Sequence, residues 1–277
     1  MYTPFDAHAA RATENGYHNH RDNSHSDIIS DGIVEDLKNK SALIKAHLEA
    51  GVIGYWKNQP NPWGRERDTD LVLAEPLHSE AKKSKPDMKK IRLVVEHKSV
   101  LTAHRNRDAR YDDLNNLCSG AGLTPNIIVA ATVMIGIAER YLNVADQIKN
   151  RYMVYKETPS GRQKKVLNTE AFNNEIMKRI FARDETLFVT HEYAVSLNTR
   201  SDIESTFAKF RQLPVRDIDN RKKAALDALL LVPVFYDNVH ASKIVRNNPF
   251  NIDVDKEYDA FILKLARIYE NEYGDKS

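Results

Sequence analysis

The chain has one cysteine, Cys118, in 277 residues. That excludes an internal disulfide framework and a cysteine-built zinc site. No apolar run approaches the roughly 20 residues that a membrane-spanning helix needs. The first residues are polar and histidine-containing, without the apolar core of a signal peptide, so a cytoplasmic protein is expected. Glycine is scarce, at ten residues, and nowhere forms Gly-x-x-x-x-Gly-Lys or Gly-x-Gly-x-x-Gly. The two common phosphate cradles are therefore missing. A Gly-x-Ser-x-Gly nucleophile elbow is missing too, which removes the usual serine-hydrolase reading. There is no internal repeat and no low-complexity linker.

What is present is an uneven charge. The net charge is only +2, yet Lys82 to Arg110 holds ten Lys or Arg against three Asp or Glu, so the remainder of the chain is net acidic. A basic stretch beside an acid-bearing strand suits a polyanionic partner such as nucleic acid. A solvated lysine loop over 82–90 would produce the same excess.

The central stretch is Ile91-Arg92-Leu93-Val94-Val95-Glu96-His97-Lys98-Ser99-Val100-Leu101. It is β-branched and apolar, as a strand requires, but contains an acid and a base two residues apart. Alternation puts Glu96 and Lys98 on one face and Leu93, Val95 and His97 on the other. Upstream, Asp70 introduces a second apolar run, Leu71-Val72-Leu73-Ala74. Paired as a hairpin with 77–90 as its loop, the two runs bring Asp70 close to Glu96. Two carboxylates and a lysine then converge.

The flanking segments frame that hairpin. Residues 1–25, with His8, His18, His20 and His25, lack an apolar period and read as a polar arm rather than a metal site. From 26 to 50, Ile29, Ile33, Leu37, Ile44 and Leu48 form a helical stripe ended by Gly51. Asp31 and Glu35 lie opposite it, and Glu35 is a weak candidate for a supporting carboxylate. Residues 51–69 read as a loop with a short strand at 52–56, whose two tryptophans either contact nucleic acid or close a core edge. After the hairpin, 102–117 reads as a helix with Thr102 as N-cap. His104, Arg105, Arg107 and Arg110 crowd its first turns against the helix dipole, which phosphate binding would explain and plain exposure would equally permit. Residues 126–137 form a continuous apolar run of the buried-strand type. A strand, a helix and a buried strand make a right-handed crossover unit.

The fold expected is thus α/β (α+β), with a central mixed sheet flanked by helices. The second half reads as mainly helical, with helices over 169–182, 201–211 and 258–273. Residues 156–165 read as a basic loop, and 224–236 as a helix and a strand broken at Pro233. The organisation expected is an arm (1–25), a core (26–140) and a helical extension (141–277) packed on it.

Hydrolysing a phosphodiester requires an activated water and neutralisation of added negative charge. Two carboxylates holding Mg²⁺ do both, and a lysine on the same face orients the water and stabilises developing charge. The bland alternative is a strand-edge ion pair, with Asp70 as a turn residue.

Thr69-Asp70-Leu71-Val72-Leu73 followed by Val95-Glu96-His97-Lys98 resembles the PD-(D/E)xK nuclease superfamily, whose core is restriction-endonuclease-like. The resemblance covers roughly 26–140, and the proline before the first acid is replaced by Thr69. Asp68 also precedes the strand, but Asp70 abuts it. The resemblance implies Mg²⁺-dependent cleavage of double-stranded DNA, with Asp70 and Glu96 as metal ligands and Lys98 as catalytic base or stabiliser. His104, Arg105, Arg107 and Arg110 are the expected DNA contacts. Size, and the lack of a translocase motif, favour a type II restriction enzyme acting as a homodimer on a short site. A nonspecific repair or defence nuclease, or a non-cleaving DNA-binding protein of the same fold, are the alternatives.

Overall fold

The computed structural model describes residues 1–14, 24–63, 68–77, 85–101, 104, 106–144, 150–157, 161, 163–172, 174–175, 178, 182, 193–218 and 220–274. A six-stranded mixed sheet lies at its centre, in the order β1-β2-β3-β4-β9-β10. β1 (Gly54–Pro60), β2 (Asp68–Pro76) and β3 (Pro86–Val100) form an antiparallel meander. β4 (Ile128–Gly136) runs parallel to β3, and β9 (Ala228–Phe235) parallel to β4. The two-residue β10 (Lys243–Ile244) closes the far edge antiparallel to β9. β4 is buried at every position, which explains an apolar run without polar alternation. α4 (Arg107–Leu123) supplies the β3-to-β4 crossover.

Helices cover both faces of the sheet. α2 (Ser24–Lys40) packs on β1 and β2, and α7 (Val254–Tyr273) on β4 and β9. α2 also touches α1 (Pro4–Glu14), α3 (Ala42–Glu49) and α7, so these four form one layer. α4 packs on β3 and β4 together with α6 (Arg200–Phe210), the second layer. The Ile29, Ile33, Leu37 and Ile44 stripe is fully buried, as its period requires. The helix expected over 26–50 is nevertheless two. Ser41 breaks it, its hydroxyl accepting from the Ile44 N–H (3.3 Å) as an N-cap while donating to Glu270 (2.6 Å).

Three expectations need correction. The N-terminal arm begins as helix α1, whose Phe5 and His8 are buried; His8 Nδ1 lies 2.5 Å from the Tyr236 hydroxyl. His18 and His20 lie outside the described residues. The second half is not mainly helical. It contributes β9 to the central sheet and builds two separate ribbons, β5 (Arg140–Val144) with β8 (Tyr193–Leu197) and β6 (Met153–Glu157) with β7 (Gln163–Leu167). Pro233 does not break β9, because its neighbour β10 is too short to demand a full ladder of donors. Of the helix expected over 169–182 the structure describes α5 (Thr169–Phe172), while those expected near 201–211 and 258–273 are present as α6 and α7. Among the described residues no helix is long and apolar enough to cross a membrane.

The amino ends of β4 and β9 are held by a buried ionic cluster. Asp227 accepts from Arg216 Nη2 (2.7 Å), Arg221 Nε (3.0 Å) and the Val129 N–H (2.7 Å). Arg216 and Arg221 also donate to the Ile127 carbonyl, at 3.1 and 2.9 Å, and Arg221 pairs with Glu272 of α7 (2.8 Å). Burial alone would raise the Asp227 carboxyl, but the two guanidiniums and the Val129 N–H outweigh it and hold the group below its ordinary 3.8. Removing one partner of such a cluster strands buried charge.

Asp227→Asn should therefore cost about 3–5 kcal/mol, read as a lower urea midpoint at unchanged m-value. Because the folded-state pKa is depressed, the stabilisation by Asp227 is present above the ordinary carboxylate value and is lost as pH falls through the folded one. The gap between wild type and variant should close in acid. A gap that stays constant down to acid unfolding would refute this account.

Candidate active site

The β2–β3 hairpin forms as its apolar alternation predicts, but β3 begins at Pro86, so the connection is shorter than the 77–90 loop expected. Leu71 pairs with Val95 and Val72 with Val94. The same register extended by one residue sets Asp70 directly across from Glu96. Asp70, Glu96 and Lys98 thus share one face, as alternation requires. β2 starts at Asp68, which is exposed, so Asp70 stands inside the strand rather than at its lip.

Two local irregularities turn Arg92 and Asn58 away from this face. Ala74 pairs with Ile91 and Leu73 with Leu93, so Arg92 is an extra residue, a β-bulge. The bulge turns Arg92 to the other layer, where it donates to Tyr269 (3.0 Å) and Glu75 (2.9 Å) and stacks 4.7 Å from the Tyr273 ring centroid. On the β1 side, Asn58 falls opposite Asp70 in the register. Its φ of 54° is left-handed, a conformation asparagine tolerates, and its amide reaches Asp27 of α2 (3.1 Å).

Glu96 is 8% exposed. Burial pushes its carboxyl up to about 7; the Asp70 charge adds to the rise, while Lys98 and the Asp70 N–H oppose it. Lys98 Nζ donates to Glu96 Oε1, and both side chains are nearly buried. Asp70 is fixed from behind, because its Oδ2 accepts the His97 backbone N–H at 2.7 Å. The His97 ring points to the opposite face, as expected. Nδ1 lies 2.8 Å from the Thr132 hydroxyl and Nε2 3.1 Å from that of Ser30. Burial lowers this imidazole to about 4, so it is neutral at physiological pH, donating through one nitrogen and accepting through the other. Ser30 and Thr132 escape sequence reading, since no motif marks a hydroxyl that meets a buried histidine. The backbone donor of His97 has no sequence signal at all.

The predicted DNA contacts fare differently. His104 is 5% exposed, left-handed at φ 48°, and bonds Thr206 (2.7 Å) and the Gly136 carbonyl (3.2 Å). It is a strut between β3, β4 and α6, not a surface contact. Arg105 and Thr102 lie outside the described residues, and α4 starts later than expected, at Arg107. Arg107 is turned to α6 through Ser205 (2.7 Å), and Arg110 makes a long contact to Asp113 (3.4 Å). Glu35 pairs with Lys38 (2.7 Å) on the exposed side of α2 and does not support the site. The Trp63 indole donates to Thr124 (3.0 Å) and stacks over Gly120, closing a core edge. Cys118 is buried, and burial raises its thiol to about 11, an inert setting.

Among the described residues no three His, Cys, Asp or Glu side chains converge as a cation cluster. The donor set here is two facing carboxylates, one of them raised by burial and by its neighbour's charge. That set fits Mg²⁺, which keeps several waters and takes one or two carboxylates, completing its shell with substrate oxygens.

The raised Glu96 pKa has a testable sign. Its folded value lies above the ordinary 4.5, so the stability tied to the protonated carboxyl is full below that pH and is lost as pH rises through about 7. In EDTA, wild type should lose stability relative to Glu96→Gln by up to about 3 kcal/mol between pH 5 and 8. At pH 8, added Mg²⁺ should raise the melting temperature of wild type more than that of the variant. A pH-independent difference between the two would refute the assignment.

Compared with protein-family models, with curated proteins and with solved structures, the chain matches none of them.

Proposed function

We propose that this chain is a Mg²⁺-dependent endonuclease that hydrolyses DNA phosphodiester bonds. In its most specific form it is a type II restriction enzyme, cutting double-stranded DNA at a short site as a homodimer. The observation that carries the reading is the β2–β3 register, which places Asp70 across from Glu96 with Lys98 on the same face. The element order agrees with it. A helical segment before the hairpin and a parallel strand after it are where the resemblance to PD-(D/E)xK nucleases implies a helix over 26–50 and a strand over 126–137.

Asp70 and Glu96 would hold the cation, which when bound would lower the pKa of a coordinated water and polarise the scissile phosphate. Lys98, two residues from Glu96 on the same face, orients the attacking water and stabilises charge that builds on the phosphoryl oxygens. The new P–O bond forms from that water while the bond to the leaving oxygen breaks. His97 holds the Asp70 carboxylate through its N–H, which limits the rotamers open to the first ligand. The low exposure of Glu96 and Lys98 weakens solvent screening, so each charge acts at longer reach than it would on the surface.

Purified protein incubated with a long, fully sequenced, unmethylated phage DNA should give discrete bands with Mg²⁺ and none with EDTA. A Mg²⁺-dependent smear would instead favour the nonspecific repair or defence nuclease. Lys98→Ala should lower cleavage by about 10²-fold or more while DNA binding is retained. Cleavage by Lys98→Ala at the wild-type rate would remove Lys98 from the site. DNA left intact by wild type on both methylated and unmethylated substrate, yet still bound, would support the non-cleaving reading.

A further inference from the structure

Between β4 and β9 the chain raises a two-stranded ribbon that joins no larger sheet. β6 and β7 set Met153 opposite Leu167, Tyr155 opposite Lys165, Lys156 opposite Lys164 and Glu157 opposite Gln163. The root is anchored. Met153, Val154, Val166 and Leu167 are half-buried, Tyr152 meets the buried Phe172 edge-on at 5.6 Å, and the Asn168 N–H donates to the Tyr152 carbonyl (2.7 Å). Beyond the root every residue from Tyr155 to Glu157 and from Gln163 to Lys165 is exposed, Tyr155 at 68%.

Two features of this ribbon work against its own stability. A lone pair of strands is marginal in water. Lys156 and Lys164 also stand directly across from each other on one face, a like-charge pair that destabilises a ladder. Among the described residues no carboxylate is hydrogen-bonded to either of them. Glu157, the one acid in the exposed part, faces the other way, opposite Gln163. An anion docking on that face would relieve the repulsion.

We infer that the β6–β7 ribbon is a docking arm for duplex DNA, with Lys156 and Lys164 on the phosphates that line the major groove. The inference rests on the nuclease reading for the identity of the polyanion and adds where the duplex is gripped. The major groove is wide enough to admit a two-stranded β-ribbon. The position in the fold agrees. β3 and β4 end side by side, so close that a Cβ on Gly136 would stand 2.7 Å from the Leu101 carbonyl oxygen. The chain leaving that end of β4 forms β5 first, and the β6–β7 ribbon lies between β5 and its partner β8 in sequence. The insertion that carries the ribbon thus leaves the sheet at the carboxyl end of β4, the end where sheets of this kind gather their ligands. A membrane surface is disfavoured, because beyond the root the ribbon exposes Tyr155 as its one large apolar side chain.

The test uses the full chain in EDTA, so that binding is read without cleavage. The probes are a random-sequence 30-base-pair duplex, a single strand of the same length, and vesicles of anionic lipid. Affinity is measured across salt concentrations. The double variant Lys156→Ala/Lys164→Ala should bind the duplex roughly tenfold or more weakly, with a salt slope shallower by about 1.8, or about 0.9 for each phosphate no longer neutralised. Its melting temperature should stay level or rise, which separates a weaker grip from a damaged fold. An exposed pair elsewhere, Lys222→Ala/Lys223→Ala, should leave the slope unchanged. Unchanged duplex affinity in the ribbon variant, an equal loss in the control pair, or tighter binding to the single strand or the vesicles would overturn the inference. The two readings fail separately. Ribbon-dependent binding by a protein that never cuts with Mg²⁺ removes the nuclease and keeps the arm. Cutting and binding that ignore the ribbon keep the nuclease and remove the arm. A wild type with no affinity for the duplex at low salt removes both.

Discussion

The register of β2 against β3 is the constraint on which the rest of the molecule depends. Asp70 faces Glu96 only because Leu71 pairs with Val95, and a slip of one residue would send the charged set to the α2 layer and His97 to the site. The structure guards that register at several points. Leu71, Leu73, Val94 and Val95 are fully buried, so a slip would exchange apolar contacts for charges inside the core. His97 ties β3 to Ser30 of α2 on one side and Thr132 of β4 on the other. At the hairpin's outer end the Arg92 bulge absorbs an offset, so irregular pairing near Pro76 and Pro86 does not propagate to the site.

Two buried carboxylates in this chain move in opposite directions, and the contrast separates scaffold from chemistry. Asp227, at 0% exposure, pays for burial too, yet its pKa falls, because two guanidiniums and a backbone N–H satisfy it from three sides. Glu96 has one lysine, one backbone donor and a competing carboxylate, so burial wins and its pKa climbs. The balance between burial and the number of compensating partners decides the sign. An under-compensated acid beside a second acid is poorly suited to holding a fold together and well suited to a cation. The cluster that stabilises the amino ends of β4 and β9 leaves the site free to be locally unfavourable.

Legibility in the sequence followed the range of the interactions. The hairpin, the shared face of Asp70, Glu96 and Lys98, the turn of His97 to the opposite face and the buried β4 rest on period-two alternation, a property of neighbouring residues. The α2 stripe and α7 were legible for the same reason at helical period. Two of the failures were long-range. His104 looked like a cation source because it sits among arginines, but its partners, Thr206 and Gly136, come from elements distant in sequence. Phe5 and His8 looked like arm residues because α1 has its apolar partner in Tyr236 and Tyr258, over 200 positions away. The segment around Lys156 and Lys164 looked like a loop because two five-residue strands, MVYKE and QKKVL, carry no alternation to betray them.

That last failure bears on how such a fold distributes its tasks. A central sheet buried on both faces has little surface to offer a long polyanion, and its charged site is a patch only a few residues wide. Grip must then come from what the connections add at the strand ends. On the reading proposed above, the β6–β7 ribbon would do this with a pairing of its own, so change there need not disturb the register that sets Asp70 against Glu96. Arg107, which the sequence offers as a contact, is instead turned toward α6 and helps seat one helix on another. Positive charge near an acidic pair is therefore a weak guide to where a polyanion binds. Like charges set face to face in a lone ribbon are a stronger one, since the fold bears a cost there that no described residue offsets.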